Sequence, residues 1–353
     1  MTQRALHQFL TGATAGDAIT DHALLLQGWL RELGFVSEVY AWHLHPSMEG
    51  SVRPMQAYRR GRGEAWGIYH HSIGSDVPDF LLGQGMRLIL IYHNITPPEY
   101  FDSSDPLRAH LARLGQRQLQ ELRPATGLAL AVSRYNESEL REAGYVDTAV
   151  LPLCLRVERY EAADLPARPA TSGPRLLFIG RLAPNKRQED LVKLLYCLRR
   201  ARPAAELVLV GDRWEVGYDR WIEELAADLG VRDGVVLTGK LSQAEMVGHL
   251  RAADFYVSMS EHEGFGMPLI ESMYLGLPAL AYAAAAVPET MGGAGVLFRD
   301  KAFEHLAELI DLLLDDPALR QRIIAGQRAR AQAFLEPQVR PQFIEYLRRG
   351  GIC

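Results

Sequence analysis

Short apolar runs alternate with segments of helical periodicity along most of the chain. Continuous apolar runs followed by helices are typical of buried parallel strands with crossover helices, so the pattern predicts parallel sheets. The predicted strands form two series, at residues 4–10, 36–41, 65–70, 87–93, 128–133 and 148–153, and then at 175–179, 206–210, 235–238, 255–258 and 279–282. The predicted fold class is α/β with two doubly wound domains.

A proline-rich stretch separates the two series. Residues 161–174 hold three prolines among alanines and small polar residues, the composition of an exposed hinge. We therefore expect an N-terminal domain at 1–160 and a C-terminal domain at 161–335, with the last helix, 336–353, packing back on the first domain. Because ligands bind outside the carboxyl ends of parallel strands, the expected site is a cleft that the two domains face.

Composition narrows the function classes. The 353 residues are 48% hydrophobic and 23% charged, which excludes a disordered or fibrous protein. A net charge of −5 argues against general nucleic-acid binding. Three scattered cysteines, the absence of a signal-peptide pattern and the lack of an apolar run of about 18 residues predict a cytoplasmic protein.

The motif EGFGMPLIE directly follows the predicted strand at 255–258. Proline suits a first helical turn, and Gly264 and Gly266 leave backbone N–H groups open to a ligand. Glu263 would lie in the loop and Glu271 in the first turn, where each could accept hydrogen bonds from sugar hydroxyls. A tight glycine turn with Glu271 beside the helix dipole explains the same residues without a ligand.

A second motif, LLFIGRLAPNK, contains Gly180 at the end of a predicted strand, followed by Arg181 and Lys186. A guanidinium fork suits phosphate oxygens and an ammonium is a mobile positive charge, so the two could hold a diphosphate and stabilise it as a leaving group. Only four of the 38 basic residues are lysines, which makes the position of Lys186 informative. Solvated surface cations would give the same pattern.

Further short motifs follow in a fixed order. With the two above, they are Gly180-Arg181, Lys186, Leu209-Val210-Gly211-Asp212, Leu229-Gly230, Leu237-Thr238-Gly239, Ala253-Asp254, Ser260-Glu261, residues 263–271, Gly276-Leu277-Pro278, Pro288-Glu289 and Gly295-Val296-Leu297. This order, over about 120 residues, resembles the retaining family-four glycosyltransferases of GT-B fold. Four alanines at 283–286 depart from the glycines and polar residues of many relatives.

The resemblance implies that the second domain binds a nucleotide-diphosphate sugar. Arg181 and Lys186 would hold the diphosphate, Glu263 would meet the donor-sugar hydroxyls, and Glu271 would hold the ribose. Gly180 would be a further donor-binding position, Gly239 and Leu241 would flank the base, and Gly264, Phe265 and Gly266 would lie at the phosphate or the sugar.

The first half matches the family more loosely. Gly12 and Gly16 fall in a predicted loop at 11–17 that would close over the donor phosphates, and Asp17 would cap the next helix. An ordinary glycine turn is the alternative, and it is a stronger alternative for Gly12 than for Gly16. The three closely spaced glycines of a dinucleotide fingerprint are absent, which disfavours a nicotinamide cofactor.

Histidines end two predicted strands of the first half. By the resemblance, His93 stands beside the donor sugar, and His70 and His71 line the acceptor side unless they are structural residues. No spacing among the histidines at 43, 45, 70, 71 and 93 matches a known zinc pattern. The chain also lacks an Asp-x-Asp triplet. We therefore predict no metal and no cofactor besides the nucleotide-sugar co-substrate.

Arginines cluster in the first half, with Arg53, Arg59, Arg60 and Arg62 in one segment and Arg108, Arg113, Arg117 and Arg123 on a predicted helix. The apolar side of that helix is predicted at Leu107, Leu111, Leu114 and Leu122. Such a helix could dock on anionic lipid at the inner face of a membrane. An ordinary amphipathic helix has the same pattern, and peripheral membrane contact stays an alternative.

Together these patterns predict a retaining hexosyltransferase with Arg181, Lys186, His93 and Glu263 as catalytic residues. It would move a sugar from a nucleotide-diphosphate sugar to a sugar, lipid-linked or other hydroxyl acceptor, in polysaccharide, glycolipid or glycoconjugate synthesis. The departing phosphate would take the acceptor proton. The alternatives are a sugar-nucleotide epimerase or phosphorylase of the same fold, and a non-catalytic nucleotide-sugar binding subunit.

Overall fold

The computed structural model describes residues 4–61, 64–161, 173–213 and 217–353. It divides into two units, one of Met1–Cys154 with Glu336–Cys353 and one of Leu155–Leu335. The division precedes the expected boundary at residue 160, because the backbone N–H of Leu155 donates to the Phe334 carbonyl at 2.8 Å, inside the second unit. Most of the predicted hinge, residues 162–172, lies outside the described part of the chain.

The first unit is built on a parallel sheet. Its strands are β1 His7–Ala13, β2 Val39–Leu44, β3 Arg53–Pro54, β4 Trp66–His71, β5 Arg87–Tyr92, β6 Thr126–Ala131 and β7 Thr148–Val150, and its first helices are α1 Ala18–Glu32, α2 Val77–Gln84, α3 Pro106–Leu122 and α4 Arg134–Glu142. The strand order is β3-β2-β1-β4-β5-β6-β7. The order therefore reverses between β1 and β4, the kind of point at which ligands bind in doubly wound sheets.

The first two strands begin and end about three residues later than the periodicity predicts. The parallel register pairs Gln8 with Val39 and continues to Ala13 with Leu44. Gly12 therefore lies inside β1 and not in a loop, which corrects its predicted position. The two-residue β3 was not predicted, because two residues are too few to show a periodicity.

The predicted apolar face of α3 is wrong at Leu107, Leu111 and Leu114, whereas Leu122 is buried as predicted. Leu107 is 69% exposed, and Leu111 and Leu114 are only partly buried. The side that faces the core consists of smaller residues and two leucines, namely Ala109, Ala112, Gly115, Leu119 and Leu122. The reason is close backbone packing, since a Cβ on Gly115 would lie 2.6 Å from the backbone nitrogen of Gly74.

Two of the four α3-region arginines are partnered by aspartates. Arg108 contacts Asp105 at 3.4 Å, and Arg113 contacts Asp102. These contacts reduce the positive charge that the helix presents to an anionic surface. None of the helices in the described ranges is long and apolar enough to cross a membrane.

The second unit contains the second parallel sheet. Its strands are β8 Arg175–Ile179, β9 Glu206–Val210, β10 Val235–Gly239, β11 Phe255–Ser258, β12 Ala279–Tyr282 and β13 Val296–Phe298, and its helices are α5 Glu158–Glu161, α6 Gln188–Leu198, α7 Tyr218–Asp228, α8 Gln243–Ala252, α9 Met267–Leu275, α10 Val287–Met291, α11 Phe303–Asp315 and α12 Pro317–Ala331. The order β10-β9-β8-β11-β12-β13 reverses between β8 and β11. Strands β8, β9, β11 and β12 coincide with their predicted ranges, and the predicted α/β class with two doubly wound units is confirmed.

The last helix, α13 (Glu336–Arg349), belongs to the first unit. The indole N–H of Trp29 donates to the carboxylate of Glu336 at 3.0 Å, and the ring centroids of Trp29 and Phe343 are 6.1 Å apart. The hydroxyl of Tyr346 donates to the carbonyl of Val150 at 3.0 Å. The chain thus returns to the first unit after completing the second.

Candidate functional site

Two loops of the second unit follow adjoining strands at the reversal point of its sheet. Strands β8 and β11 pair in parallel, with Phe255 opposite Leu176. The loop after β8 carries Arg181 and Lys186, and the loop after β11 carries Glu263. Because both loops leave the carboxyl end of the sheet, the strand order brings these motifs, about 80 residues apart in sequence, to one edge.

Asn185 ties the two loops together. It is 3% exposed, its side-chain amide donates to the carbonyl of His262 at 3.1 Å, and its own carbonyl accepts the N–H of Glu261 at 2.9 Å. Burial, and secondarily Lys186, lowers the pKa of His262 to about 4. The sequence does not mark either residue as part of a site, because their contact joins loops that are 77 positions apart.

Lys186 and Glu263 meet in this arrangement. The ammonium of Lys186 lies 2.6 Å from a carboxylate oxygen of Glu263, and the two side chains are 20% and 16% exposed. Arg181 is exposed, and within the described ranges its guanidinium has no ion-pair partner. The structure therefore brings the predicted lysine and glutamate together, orients the ammonium, and leaves the arginine accessible to an anion.

Helix α9 begins at this edge with backbone donors. Gly266 precedes it at φ 93°, a left-handed conformation that favours glycine, and no side chain caps the helix. Pro268 stands in the first turn, as predicted. The first N–H groups of a helix and its dipole favour a phosphate or another anion. Gly264 is partly exposed beside them.

Glu271 lies in the second turn of α9 and not in the first, which corrects its predicted position. It is 8% exposed, and the hydroxyl of Tyr160 donates to it at 2.6 Å. Its position does not suit the helix-dipole explanation, which needs a carboxylate in the first turn. Tyr160 was missed, since the two residues are 111 positions apart.

The remaining residues predicted to bind the donor differ in how much of each residue is accessible to a ligand. The ring of Phe265 is buried, and its centroid lies 5.6 Å from that of the Phe334 ring. Only the backbone of Phe265 can therefore meet a ligand. Gly239 ends β10 at φ 73° with open space around it, and Leu241 is partly exposed. The backbone of Gly180 packs closely against Gly211.

In the first unit, histidines gather where its strand order reverses. Nδ1 of His70 at the end of β4 lies 2.9 Å from Nε2 of His93, which directly follows β5. His71 points elsewhere, with Nε2 2.9 Å from the carbonyl of Gly115, and is a buried structural residue. His22 of α1, which sequence reasoning did not consider, lies against both His70 and His93.

The predicted glycine loop is shorter than expected, since Gly12 belongs to β1. Gly16 has φ 79° and open space around a would-be Cβ. Asp17 caps α1 as predicted, because its carboxylate accepts the N–H of Thr20 at 2.9 Å.

A buried carboxylate supports the segment that carries His93. Glu139 accepts hydrogen bonds from the Tyr92 hydroxyl at 3.0 Å and from the Asn94 amide at 2.8 Å. Asn94 has a φ of 81°. Residues on both sides of His93 are therefore anchored to α4. Burial raises the pKa of Glu139 to about 7, although the two hydrogen bonds act in the opposite direction.

We expect Glu139→Gln to remove a pH dependence of stability. A carboxyl with a higher pKa in the folded than in the unfolded protein stabilises the fold below its unfolded value of 4.5 and loses that contribution as pH rises through 7. The variant should therefore be more stable than the wild type by about 1–3 kcal/mol at pH 8 and similar to it below pH 4.5. Urea unfolding at several pH values measures the difference. Glu142→Gln, on the exposed face of the same helix, should show no such trend.

Part of the sequence matches a known protein family. Residues 166–330 match the family described as glycosyl transferases group 1. The match covers 165 of the 353 residues, a little under half of the chain. The matched segment includes both loops at the sheet edge, the Lys186–Glu263 contact and helix α9.

Two related proteins match longer stretches of the chain. A GDP-mannose-dependent monoacylated alpha-(1-6)-phosphatidylinositol monomannoside mannosyltransferase of Corynebacterium glutamicum is 30% identical over 52% of this chain. The match covers 51% of that protein, so the chain spans about half of its length. O-antigen chain mannosyltransferase B of Escherichia coli is 27% identical over 89% of this chain and 79% of its own.

The Anabaena protein Alr3699/HepE, solved in complex with UDP and glucose, shares the fold. It superposes with a TM-score of 0.76 at 19% identity, covering 98% of this chain and 100% of its own. The predicted GT-B class is confirmed by this likeness. The retaining mode, the family-four assignment and the individual site residues stay predictions.

Proposed function

We propose that the chain is a retaining hexosyltransferase that moves a sugar from a nucleotide-diphosphate sugar to a hydroxyl acceptor in glycolipid or polysaccharide synthesis. One observation carries the proposal. The edge of the second sheet presents an exposed guanidinium (Arg181), an ammonium held at 2.6 Å by Glu263 (Lys186), and the uncapped start of α9. These are three kinds of group that bind phosphate oxygens.

The proposed chemistry needs positive charge where the diphosphate leaves. Arg181 and Lys186 would stabilise the negative charge that develops on the leaving phosphate, which is typically the largest single contribution to such a step. Attack of the acceptor hydroxyl from the same face retains the anomeric configuration, and the departing phosphate takes the proton. Glu263 positions Lys186 and meets the sugar hydroxyls. No cation is needed at the phosphates.

The donor is proposed to carry a hexose. The name of the Corynebacterium relative specifies GDP-mannose, and the Anabaena structure holds UDP and glucose. GDP-mannose and UDP-glucose are therefore the first donors to test. The O-antigen and phosphatidylinositol mannoside relatives support a glycolipid or polysaccharide acceptor.

We expect one nucleotide series to raise the thermal midpoint of the chain. A ligand at 100 times its Kd adds about 2.7 kcal/mol, which shifts the midpoint of a unit of this size by roughly 5–10 °C. The measurement is a thermal shift with nucleoside diphosphates and their sugar conjugates, with magnesium and with a chelator. A response to a single base, equal in both conditions, is the expected result. A response to NAD or to phosphate alone, with none to nucleotides, would overturn the proposal.

Product analysis separates transfer from its alternatives. Release of nucleoside diphosphate that depends on a second sugar or lipid-linked hydroxyl is expected of a transferase, and NMR of the product reads the anomeric configuration. Replacement of the acceptor by free phosphate would indicate a phosphorylase. Tight donor binding without release across an acceptor panel would indicate a binding subunit.

A further inference from the structure

Three histidines of the first unit converge from three different elements. His22 lies on α1, His70 in β4 and His93 directly after β5. One ring nitrogen of each lies within 4.8 Å of the other two. We propose that His22, His70 and His93 bind one divalent transition-metal ion of the zinc type. This site goes beyond the proposed sugar transfer, which places no cation at the phosphates, and it assigns His93 to the metal and not to the donor sugar.

The hydrogen bonds around His70 define where its proton resides. The amide of Gln8 donates to the carbonyl of Ala23 at 2.8 Å, so its Oε1 is an acceptor, and that oxygen lies 3.0 Å from Nε2 of His70. His70 therefore carries its proton on Nε2 and directs a lone pair from Nδ1. A metal-bound histidine commonly donates its other N–H to such an oxygen, which holds the ring in place. Gln8 supplies this support from a fully buried position.

His22 has ring nitrogens that the fold leaves without partners. Both are buried and form no hydrogen bond within the part of the chain that the structure describes, and the residue is 3% exposed. Its ring centroid lies 5.8 Å from that of His70 and 5.5 Å from that of His93, nearly perpendicular to each. A buried donor or acceptor without a partner costs about 1–3 kcal/mol. A metal ion would give one of these nitrogens a partner.

The three proposed ligands are of one chemical type, an imidazole nitrogen from each histidine. Three imidazoles suit zinc, copper or nickel, whereas magnesium and calcium require oxygen ligands.

Coordination requires a change in spacing, because the three ligand nitrogens lie within 4.8 Å of one another. Tetrahedral zinc with Zn–N bonds of about 2.0–2.1 Å places its nitrogen ligands about 3.3 Å apart. Nε2 of His93 now lies 2.9 Å from Nδ1 of His70, and donates to it, so coordination requires His93 to move its proton to Nδ1. His93 is partly exposed, unlike the other two, so water would supply the fourth ligand from its side. The spacing of histidines along the sequence does not reveal this site, because the three ligands lie on separate elements.

The test is direct binding of Zn²⁺ to the full chain after treatment with a chelator. A competing chromophoric chelator should report one equivalent bound, and Co²⁺ at the same site should give the visible absorption of tetrahedral cobalt. His22→Leu should weaken zinc binding at least 100-fold. This variant should fold, because it replaces a buried side chain that has no hydrogen bond; circular dichroism checks this.

The controls separate this site from adventitious binding. His43→Ala removes an exposed histidine of the same unit and should leave the affinity unchanged. Gln8→Leu should weaken zinc binding about 10–100-fold, as loss of a supporting hydrogen bond to a ligand does. No binding by the wild type, or equal binding by wild type and His22→Leu, would overturn the proposal. The readout is independent of any nucleotide, so the proposed sugar transfer is tested separately.

Discussion

Lys186→Ala is expected to lower the turnover number by about 10²–10³, because loss of one group that stabilises developing negative charge typically has this effect. The structure sharpens this expectation. Glu263 holds the ammonium at 2.6 Å, so the lysine is oriented before a donor arrives. Arg181→Ala should have an effect of similar size. Initial rates with the donor identified by the thermal shift measure both, and near-normal activity of both variants would contradict the assignment.

A double-mutant cycle distinguishes two roles for Lys186. If the lysine only neutralises Glu263, then Glu263→Gln should restore much of the activity that Lys186→Ala loses. If it stabilises the leaving diphosphate, the double variant should remain as slow as Lys186→Ala. We expect the second result. The matched control is Lys193→Ala, which breaks a similar contact, 2.9 Å from Asp190, and should leave turnover unchanged.

Gly211→Ala is expected to destabilise the second unit by more than about 3 kcal/mol, a loss typical of severe overpacking. A Cβ at this position would lie 2.1 Å from the carbonyl oxygen of Gly180 and 3.1 Å from the nitrogen of Arg181. Both contacts are with backbone, which cannot rotate away as a flexible side chain can. The strand end that carries the loop with Arg181 and Lys186 would have to move, so the proposed donor binding should be lost as well. Urea unfolding and the nucleotide thermal shift measure the two effects.

Gly326→Ala provides the control for this prediction. Gly326 lies inside α12 of the same unit, with open space where a Cβ would be added. Alanine in a helix interior should stabilise by about 0.5–1 kcal/mol relative to glycine. Equal stabilities of Gly211→Ala and the wild type would show that the β8 and β9 strand ends separate easily.

Local patterns predicted the elements around the proposed donor site well. Strands β8, β9, β11 and β12 have the predicted bounds, because each is a short apolar run ended by glycine or polar residues. The start of α9 was predicted from Gly266 and Pro268, and the cap of α1 from Asp17, because these residues determine the backbone conformation of their own turn. The order of such elements also predicted parallel, doubly wound sheets.

Features that depend on distant contacts were not predictable in this way. The buried face of α3 was wrong because Gly115 packs against Gly74, and helical periodicity does not distinguish a leucine side from a side of small residues. Glu271 was expected in the first turn of α9, but it lies in the second turn, where the hydroxyl of Tyr160, 111 positions away, donates to it.

By itself, the sequence determined which segments form strands and helices, the α/β class, and the motifs that resemble a glycosyltransferase donor site. Only the tertiary structure decided that Lys186 contacts Glu263 and that His22 joins His70 and His93. The physical reason is that turns and apolar runs act over a few residues, whereas these contacts depend on strand order and register, which bring side chains from separate elements to one edge of a sheet.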